Sequence, residues 1–428
     1  MAVPSPTSSP AVTRAPEAPA SLTSSPAVTG AAEAPASYDV IVVGLGGMGS
    51  AAAAELARRG LRVLGIERYG PAHDRGSSHG ESRVIRQAYF ESPAYVPLLL
   101  RAYELWHELE AATGSDLITE TGGLMIGPEH SRTVAGSRLS AETWDLPHEL
   151  LEASEIARRF PTLSPGREDV GLYEEHAGFV RPEATVAAHI ALARTRGAEL
   201  HFNETVTGWE SRPGGVVVTT PLRSYRAARL VLSPGAWAPD LFDGFGIPLR
   251  VERLVQFWLR SKIGVEQFAP SRQPIYVWED AAGAQVYGFP ALGVEADGVK
   301  AAFFRRSTPT AADELTREVA AQEVVPLLDF LADRIPELGP EVCRAVPCMY
   351  TTTPDEHFVL GYPRGEERVV ICSPCSGHGF KFVPVIGELV ADLVTSGSVR
   401  FDISLFGPGR FRKTLGAPNA VGTDGGMP

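Results

Sequence analysis

Apolar and polar positions in the first part of the chain follow the periods of strands and helices. Tyr38 to Val43 is a short apolar run rich in β-branched residues, which is typical of a buried parallel strand. Ser50 to Arg59 is rich in alanine and is followed by Gly60, a residue that often ends a helix. Arg62 to Ile66 is a second apolar run. The pattern therefore predicts a strand–helix–strand unit over residues 38–66.

A glycine fingerprint lies between that first strand and the helix. Gly44, Gly46 and Gly49 follow the strand at once, and Glu67 ends the second strand. Such glycines permit a tight turn and the close approach of a pyrophosphate, which the positive end of the helix would attract. Glu67 can accept from ribose hydroxyls. Because a strand, a helix and an acid surround the glycines, the motif predicts a dinucleotide site. A glycine-rich turn without a ligand is the alternative.

The later pattern predicts a nucleotide-binding fold that a second sheet interrupts. Further helices are predicted over residues 95–112, 182–196, 318–335 and 385–394, and further strands over 121–127, 199–202, 216–220, 230–232 and 369–372. Short aromatic-rich runs linked by turns predict an antiparallel sheet over 256–259, 275–278, 285–287 and 299–304. We therefore expect an α/β chain of two domains, which fits a large flavoprotein better than a compact NAD dehydrogenase.

Charge and cysteine content exclude several classes of function. A formal net charge of −12 makes a nucleic-acid or anionic-membrane partner unexpected, and no apolar run is long enough to span a bilayer. The four cysteines are too few for a secreted disulfide framework. Cys372 and Cys375 have the spacing of a zinc half-site or redox pair, but Cys343 and Cys348 make a poor second half, so we expect no metal. We expect a cytoplasmic protein.

Residues 1–37 have a different composition from the rest of the chain. They consist mainly of Ala, Pro, Ser and Thr, and they repeat SPAVTRAPEAPAS (9–21) as SPAVTGAAEAPAS (25–37). Such a segment buries too little apolar surface to offset its ordering entropy, so we expect a disordered tail. It lacks the basic start and apolar core of a secretory signal. An over-called start codon and a docking segment are the alternatives.

Two arginines, Arg83 and Arg86, flank an apolar pair in ESRVIRQAY at 81–89. If this stretch is helical they share a face, and if it is extended they lie on opposite faces. From spacing alone, two surface arginines on an edge element are favoured.

Five motifs together resemble the monomeric sarcosine oxidase and N-methyltryptophan oxidase family. They are the glycine fingerprint, SSHGESRVIRQAY at 77–89, VYGFP at 286–290, PCMYTTTPDEHF at 347–358 and SGHGFKF at 376–382. The resemblance implies a glutathione-reductase-like, Rossmann-type FAD-binding domain with an antiparallel-sheet substrate domain. The implied FAD-binding domain comprises 38–116, 180–248 and 344–401, and the substrate domain 117–179, 249–343 and 402–428.

The resemblance also assigns residues to the cofactor. Cys348 matches the cysteine that holds FAD covalently, as an 8α-S-cysteinyl thioether, although a small buried hydrophobe is the alternative reading of a lone cysteine. Gly377 to Lys381 would begin the late helix and point its N-terminus at the flavin ring. The implied cofactor-binding residues are Gly44, Gly46, Gly49, Glu67, Ser77, Cys348, Gly377, Gly379 and Lys381.

Basic residues receive roles in substrate binding and catalysis from the same resemblance. Lys381 matches the lysine that binds the substrate carboxylate and Arg86 the arginine that assists it, since a carboxylate favours converging cations. Arg83 and Lys300 match basic residues on the other flavin face, and Lys300 resembles the lysine that assists oxygen activation. The alternatives are a surface lysine at 381 and an exposed strand residue at 300. His79 lies near the ring in the motif, with a structural role equally open.

The pocket residues depart from the family pattern. Tyr287 and Tyr350 match pocket tyrosines, with core packing as the alternative, but Phe304 falls where the sarcosine and methyltryptophan oxidases have a histidine. The loop between Tyr287 and Lys300 is also longer, and Ser373 to Cys375 replaces a small–glycine–aromatic turn. We therefore expect a bulkier or cyclic N-substituted amino acid rather than sarcosine.

The implied function is oxidation of a secondary amino acid to an imine by FAD, with reduction of O2 to H2O2 by a monomer. A dehydrogenase or a tailoring oxidase of a cyclic imino acid or carrier-bound amino acid is the nearest alternative. A non-catalytic nucleotide-binding regulator is disfavoured because Cys348, Lys300 and Lys381 are all present.

Overall fold

The computed structural model of the protein describes residues 38–242, 244–293 and 297–413. The expected disordered tail, residues 1–37, lies outside these ranges. The strands of the described residues are β1 (Tyr38–Val43), β2 (Val63–Ile66), β3 (Arg83–Ile85), β4 (Ile118–Glu120), β5 (Gly123–Pro128), β6 (Glu149–Glu152), β7 (Asp169–Glu174), β8 (Gly178–Val180), β9 (Glu199–His201), β10 (Gly208–Arg212), β11 (Gly215–Thr219), β12 (Ser224–Leu232), β13 (Arg250–Ser261), β14 (Ile275–Glu279), β15 (Gln285–Gly288), β16 (Val299–Phe303), β17 (Thr308–Pro309), β18 (Leu338–Thr352), β19 (Val359–Gly361) and β20 (Val369–Ser373). The α-helices are α1 (Gly47–Arg58), α2 (Val96–Thr113), α3 (Arg132–Thr143), α4 (Ala153–Arg159), α5 (Pro182–Thr195), α6 (Ala238–Leu241), α7 (Val325–Leu331) and α8 (Val383–Ser396).

The first sheet has the topology of a nucleotide-binding domain. Its central strands lie in the order β9, β2, β1, β12, β20, and each neighbouring pair is parallel. Antiparallel strands β10, β11 and β19 extend it. The last four residues of β1 are buried, as its apolar run predicts. Helix α1 packs against α5 and α8. The contact with α8 is close, because a Cβ added at Gly387 would come within 2.9 Å of the backbone of Ala51.

The second sheet is mainly antiparallel, with strand order β17, β13, β16, β15, β14, β5, β7, β6, and β18 also pairs with β13. The only parallel pair is β14 with β5 in these described strands. The long β13–β18 pair places Cys348 opposite Leu254, and β16 places Lys300 opposite Trp258. A small third sheet, β3, β8, β4, carries Arg83. The second and third sheets therefore carry Lys300, Cys348 and Arg83, which come from separate parts of the chain.

The predicted elements are largely confirmed, with two corrections. The helix predicted over 318–335 is wrong in length: α7 covers Val325–Leu331, after a 3₁₀ turn at Ala321–Val324. Proline at its start supplies no N–H and favours the first turn of a helix. The late helix begins at Val383 and not at Gly377, because a left-handed glycine at 377 and a 3₁₀ turn at Phe380–Phe382 precede it. Among the described helices, none is both long and apolar enough to cross a membrane.

Candidate active site

A cavity of about 430 Å³ lies where the two large sheets meet. Residues that follow the carboxyl ends of β1, β2 and β12 line it, and β14, β15 and β18 contribute side chains from the second sheet. In open α/β sheets, ligands bind outside the carboxyl ends of the parallel strands. The position of the cavity therefore agrees with the dinucleotide site that the glycine fingerprint predicts.

The three fingerprint glycines have different surroundings. Gly44 has a φ of +85°, and a Cβ there would come within 2.3 Å of the carbonyl oxygen of Ser233. A Cβ at Gly49 would come within 1.8 Å of the Gly44 oxygen, whereas at Gly46 the nearest atom is Ser78 Oγ, 3.8 Å away. Gly44 thus permits the turn and Gly49 permits the close packing, whereas Gly46 leaves space on the side of the cavity. Together with the start of α1, this cradle fits a pyrophosphate.

Glu67 is buried beside this cradle and lines the cavity. Its Oε2 accepts from the backbone N–H of Leu45 at 2.8 Å, and its Oε1 accepts from that of Tyr69 at 3.0 Å. The Nε2 of His73 lies 3.2 Å from Oε1. A carboxylate has about four acceptor positions, so these bonds leave capacity for a hydroxyl. The position is consistent with the ribose role that the sequence predicts.

Sequence reasoning missed a group that lines the cavity near Glu67. Arg68 Nη1 forms an ion pair with Asp313 at 2.8 Å, and Trp237 Nε1 donates to the same carboxylate at 2.8 Å. The guanidinium of Arg68 also lies 5.5 Å from the centre of the Trp237 ring. These three residues come from three distant parts of the chain, so no local motif indicates them.

Cys348 is 1% exposed and lies against the loop that carries Ser77 and Arg83. Arg83 Nη2 is 3.6 Å from Cys348 Sγ and donates to the carbonyl oxygen of Ser77 at 3.0 Å. Burial acts to raise the pKa of the Cys348 thiol, but nearby His79 and Arg83 outweigh it and lower the pKa to about 6. Burial raises the pKa of the Cys372 thiol instead. Cys348 is therefore poised as a thiolate.

Lys300 is 2% exposed, which excludes the alternative of an exposed strand residue. Its Nζ donates to the carbonyl oxygens of Gly80 at 2.6 Å and Ser82 at 2.9 Å, and to Ser82 Oγ at 3.2 Å. Burial, with the charge of Arg83, lowers the pKa of Lys300 well below its usual value. Among the described residues, the cavity wall includes Arg83 but not Lys300, His79 or Cys348, which lie behind it.

Arg86 is 2% exposed, so the prediction of a surface arginine is wrong. The segment is extended rather than helical, and Arg86 follows β3 into the cavity wall. Its Nη2 forms an ion pair with Glu91 Oε2 at 2.6 Å, and its Nη1 donates to the carbonyl oxygen of Ala88 at 3.0 Å. Glu91 Oε1 is buried without a partner in the described part of the chain. The sequence analysis missed Glu91, because a single acidic residue after two aromatic residues forms no motif that would indicate a site.

Lys381 lies on the same wall and is 4% exposed, which excludes a surface lysine. Its Nζ donates to the carbonyl oxygen of His378 at 2.8 Å. Burial and the charge of Arg86 lower the pKa of Lys381 to about 7, against the opposite effect of Glu91. Burial acts to raise the pKa of Glu91, but Arg86, His378 and Lys381 outweigh it and lower the pKa to about 2. Arg86, Lys381 and Glu91 thus form one cluster of two basic groups and one carboxylate on this wall.

Aromatic side chains complete the cavity wall. Tyr287, Phe304, Tyr350 and Phe90 all line it. The ring of Phe304 lies edge-on to those of Phe90, at 6.2 Å between centres, and Tyr350, at 6.3 Å. Burial raises the pKa of Tyr287 to about 12. Burial also raises the pKa of Tyr350 well above its usual value, so both tyrosines are neutral, and both line the cavity rather than serving only as core.

The turn before α8 closes this wall. Gly377 has a φ of +80°, and a Cβ there would come within 2.6 Å of the Tyr350 ring. A Cβ at Gly379 would come within 1.6 Å of the carbonyl oxygen of Pro374. His378 Nδ1 lies 2.5 Å from the Tyr89 hydroxyl and Nε2 lies 2.9 Å from the Glu356 carbonyl oxygen. Both glycines are thus required by close packing.

Comparisons with known proteins agree with this arrangement. Residues 39–393 match the family described as FAD dependent oxidoreductase. The monomeric sarcosine oxidase of Streptomyces avermitilis is 53% identical over 87% of this chain and 97% of that protein. The N-methyl-L-tryptophan oxidase of Salmonella dublin is 34% identical over 87% of this chain and 99% of that protein. The open form of NikD, an unusual amino acid oxidase essential for nikkomycin biosynthesis, has a TM-score of 0.76 and 29% identity over 87% of this chain and 97% of that chain.

These matches confirm the predicted fold class, FAD as the cofactor and the family that the five motifs resemble. The cradle of Gly44, Gly46 and Gly49 and the carboxylate of Glu67 fit the dinucleotide part of FAD. The chain therefore belongs to the FAD dependent oxidoreductase family, in the group of the monomeric sarcosine oxidases and N-methyl-L-tryptophan oxidases, and is an FAD-dependent amino-acid oxidoreductase.

Proposed function

We propose that the protein is an oxidase of secondary amino acids, N-methylated or cyclic, with a side chain or ring larger than that of sarcosine. The observation that supports this most is a wall that holds Arg86, Lys381 and Phe304 together. FAD, when bound, would accept a hydride equivalent from a carbon attached to the amine nitrogen, which also loses a proton, and would pass the two electrons to O2, so that the products are an imine and H2O2. The two curated relatives are named as oxidases of sarcosine and N-methyl-L-tryptophan, which are amino acids of this class.

The basic groups would bind the substrate carboxylate. Lys381 offers an ammonium group, and Arg86 offers a planar guanidinium that suits bidentate binding. Arg86 is paired with Glu91, so a substrate carboxylate has to compete with Glu91 for this arginine. The stacking of Arg86 over the Phe90 ring, 4.1 Å away, holds the guanidinium while its partner changes.

The aromatic wall would select the rest of the substrate. Phe304 offers apolar surface where a histidine would offer a hydrogen bond, and buried apolar area contributes roughly 25 cal/mol per Å². A ring or a long side chain covers more of the surface of Phe304, Tyr287 and Tyr350 than the methyl group of sarcosine does.

Two residues behind the wall would act on the cofactor. Cys348 would hold the flavin through a thioether at its 8α position, and His79 and Arg83 would favour the thiolate form of the free cysteine. Lys300 would provide a fixed positive charge that stabilises the negative charge that develops on oxygen as it is reduced. We propose that the enzyme acts as a monomer, as the name of its relative from Streptomyces avermitilis indicates for that protein.

A substrate panel with one matched pair of variants tests the specificity. Sarcosine, N-methyl aromatic amino acids, pipecolate and proline would be compared by kcat/KM, with peroxide release as the assay. We expect kcat/KM to be lower for sarcosine than for the larger substrates, and we expect Phe304→His to raise kcat/KM for sarcosine relative to them. Phe303→His is the control, because Phe303 packs against Phe330 and is not part of the described wall. A wild-type preference for sarcosine would refute the pocket argument and leave the flavin argument standing.

A further inference from the structure

One peptide group connects Lys300 to a carboxylate that has no assigned role. The carbonyl oxygen of Gly80 accepts from Lys300 Nζ at 2.6 Å. The N–H on the other side of that peptide group belongs to Glu81 and lies 3.2 Å from each carboxylate oxygen of Glu183. The N–H of Gly80 donates to Glu183 Oε1 at 2.5 Å. An ammonium group and a carboxylate thus face each other across one peptide dipole.

We propose that Glu183 is the counter-ion of Lys300, acting through the peptide group between residues 80 and 81, and that it keeps the ammonium charged. Glu183 is in this sense a positioning residue. The consequence for oxygen rests on the function proposed above for Lys300, but the electrostatic link does not.

Within the described ranges, none of the groups that accept a hydrogen bond from Lys300 carries a negative charge. Its three hydrogen-bond acceptors are neutral oxygens, and the rings of Trp258 and Phe289 lie 5.1 and 4.9 Å from Nζ. Removing an ammonium group from water without a counter-charge is costly. Arg83 adds a like charge, and both burial and Arg83 lower the pKa of Lys300. A buried ammonium group in this position would lose its proton unless an acid opposed these effects.

Three groups supply negative charge near Lys300, namely Cys348, Glu183 and Glu81, in decreasing order of their effect. Arg344 and Trp258 already bind the carboxylate of Glu81, and the thioether proposed for Cys348 would leave its sulfur without charge in the holoenzyme. Among the described residues, Glu183 has no cation as a partner, and its hydrogen bonds come only from the two backbone N–H groups. Glu183 is therefore the acid near Lys300 whose charge no ion pair offsets in the described part of the chain.

The backbone is shaped for this link. Gly80 has a φ of +96° and Glu81 a φ of +66°, a left-handed conformation that is uncommon for a residue with a side chain. Successive N–H groups in such turns point to one side and bind an anion. The opposite side of the turn then presents carbonyl oxygens, and these bind Lys300. Polarisation by the carboxylate makes the Gly80 oxygen a stronger acceptor.

A purely structural role for Glu183 is the competing explanation. Glu183 lies in the first turn of α5, where an acid stabilises a helix whatever faces it. Glu183→Gln separates the two roles, because the amide oxygen still accepts from the backbone while the charge is lost. Glu155→Gln is the matched control, since Glu155 is an acid in the first turn of α4 and is not among the groups that act on Lys300.

The four lysines of the chain make a direct measurement feasible. The holoenzyme would be prepared with ¹³C at the lysine ε carbon, and each signal would be followed by NMR against pH, with Lys300→Met to assign its signal. In Glu183→Gln we expect the Lys300 titration to move to lower pH, while that of Lys262 is unchanged. Glu155→Gln should move neither. At pH values above the midpoint of the Lys300 titration, each unit by which this midpoint falls lowers the fraction of charged Lys300 about tenfold.

The pH profile of flavin reoxidation, measured by stopped flow, should shift in the same direction. An unchanged Lys300 titration in a folded Glu183→Gln protein would overturn the proposal. A shifted titration without an effect on reoxidation would support the link to Glu183 and refute the oxygen role of Lys300. If Glu183→Gln does not fold, Glu183→Asp decides: it withdraws the charge by one methylene, so the Lys300 titration should still move to lower pH, and no movement would overturn the proposal.

Discussion

Replacement of Lys381 by methionine separates charge from shape at the carboxylate site. Methionine is unbranched and fills a similar space, so the cavity should keep its form. The carbonyl oxygen of His378 loses the bond from Lys381 but still has the Tyr89 hydroxyl at 3.3 Å. A buried lysine with a lowered pKa also stabilises the fold little. We therefore expect Lys381→Met to fold and to bind FAD.

The loss of carboxylate affinity can be worked from the bond that disappears. A hydrogen bond to a charged group contributes roughly 1.5–3 kcal/mol, which corresponds to about ten- to a hundredfold in Kd. Because the pKa of Lys381 is about 7, the ammonium group is present below that pH and is lost as the pH rises through it. The difference between wild type and Lys381→Met should therefore be large at a pH of about 6 and small at about 8.5.

Anaerobic titration with furan-2-carboxylic acid and its amide, followed by the flavin absorption spectrum, measures this directly. The variant should lose affinity for the acid and keep its affinity for the amide. Lys300→Met is the control, since the same substitution behind the wall should leave the acid-to-amide preference intact. An unchanged preference in Lys381→Met would show that this residue does not bind the carboxylate.

Three further substitutions address the remaining roles. Cys348→Ser should leave the flavin free, so that acid precipitation puts the yellow colour in the supernatant instead of the pellet; colour in the wild-type supernatant would disprove the thioether. Lys300→Met should slow flavin reoxidation far more than reduction in separate stopped-flow experiments, and equal slowing would count against the oxygen role. Glu91→Gln should free Arg86 and tighten carboxylate binding, at a cost of about 3–5 kcal/mol for breaking a buried pair, seen as a lower Tm. Weaker carboxylate binding in that variant would contradict the competition between Glu91 and substrate.

The sequence by itself determined the elements whose causes are local. The β1–α1–β2 unit follows from an apolar run, a glycine turn and an alanine-rich helix that lie next to one another in the chain. Gly44 is needed because its φ of +85° is open to glycine at little cost. The motif spacing was likewise enough to indicate the family, since each motif is a short continuous stretch.

Only the tertiary structure decided which charges meet. The spacing of Arg83 and Arg86 favoured two exposed side chains. In the structure, Arg83 on β3 instead contacts Cys348, which lies 265 positions away along the chain. Lys300 likewise binds a turn 218 to 220 positions away, and that turn links it to Glu183. A charged side chain is buried only where other residues provide a partner for its charge, because an unpaired charge is too costly to remove from water. Partners that come from other sheets and helices leave no periodic trace in the sequence, so their identity appears only once the chain has folded.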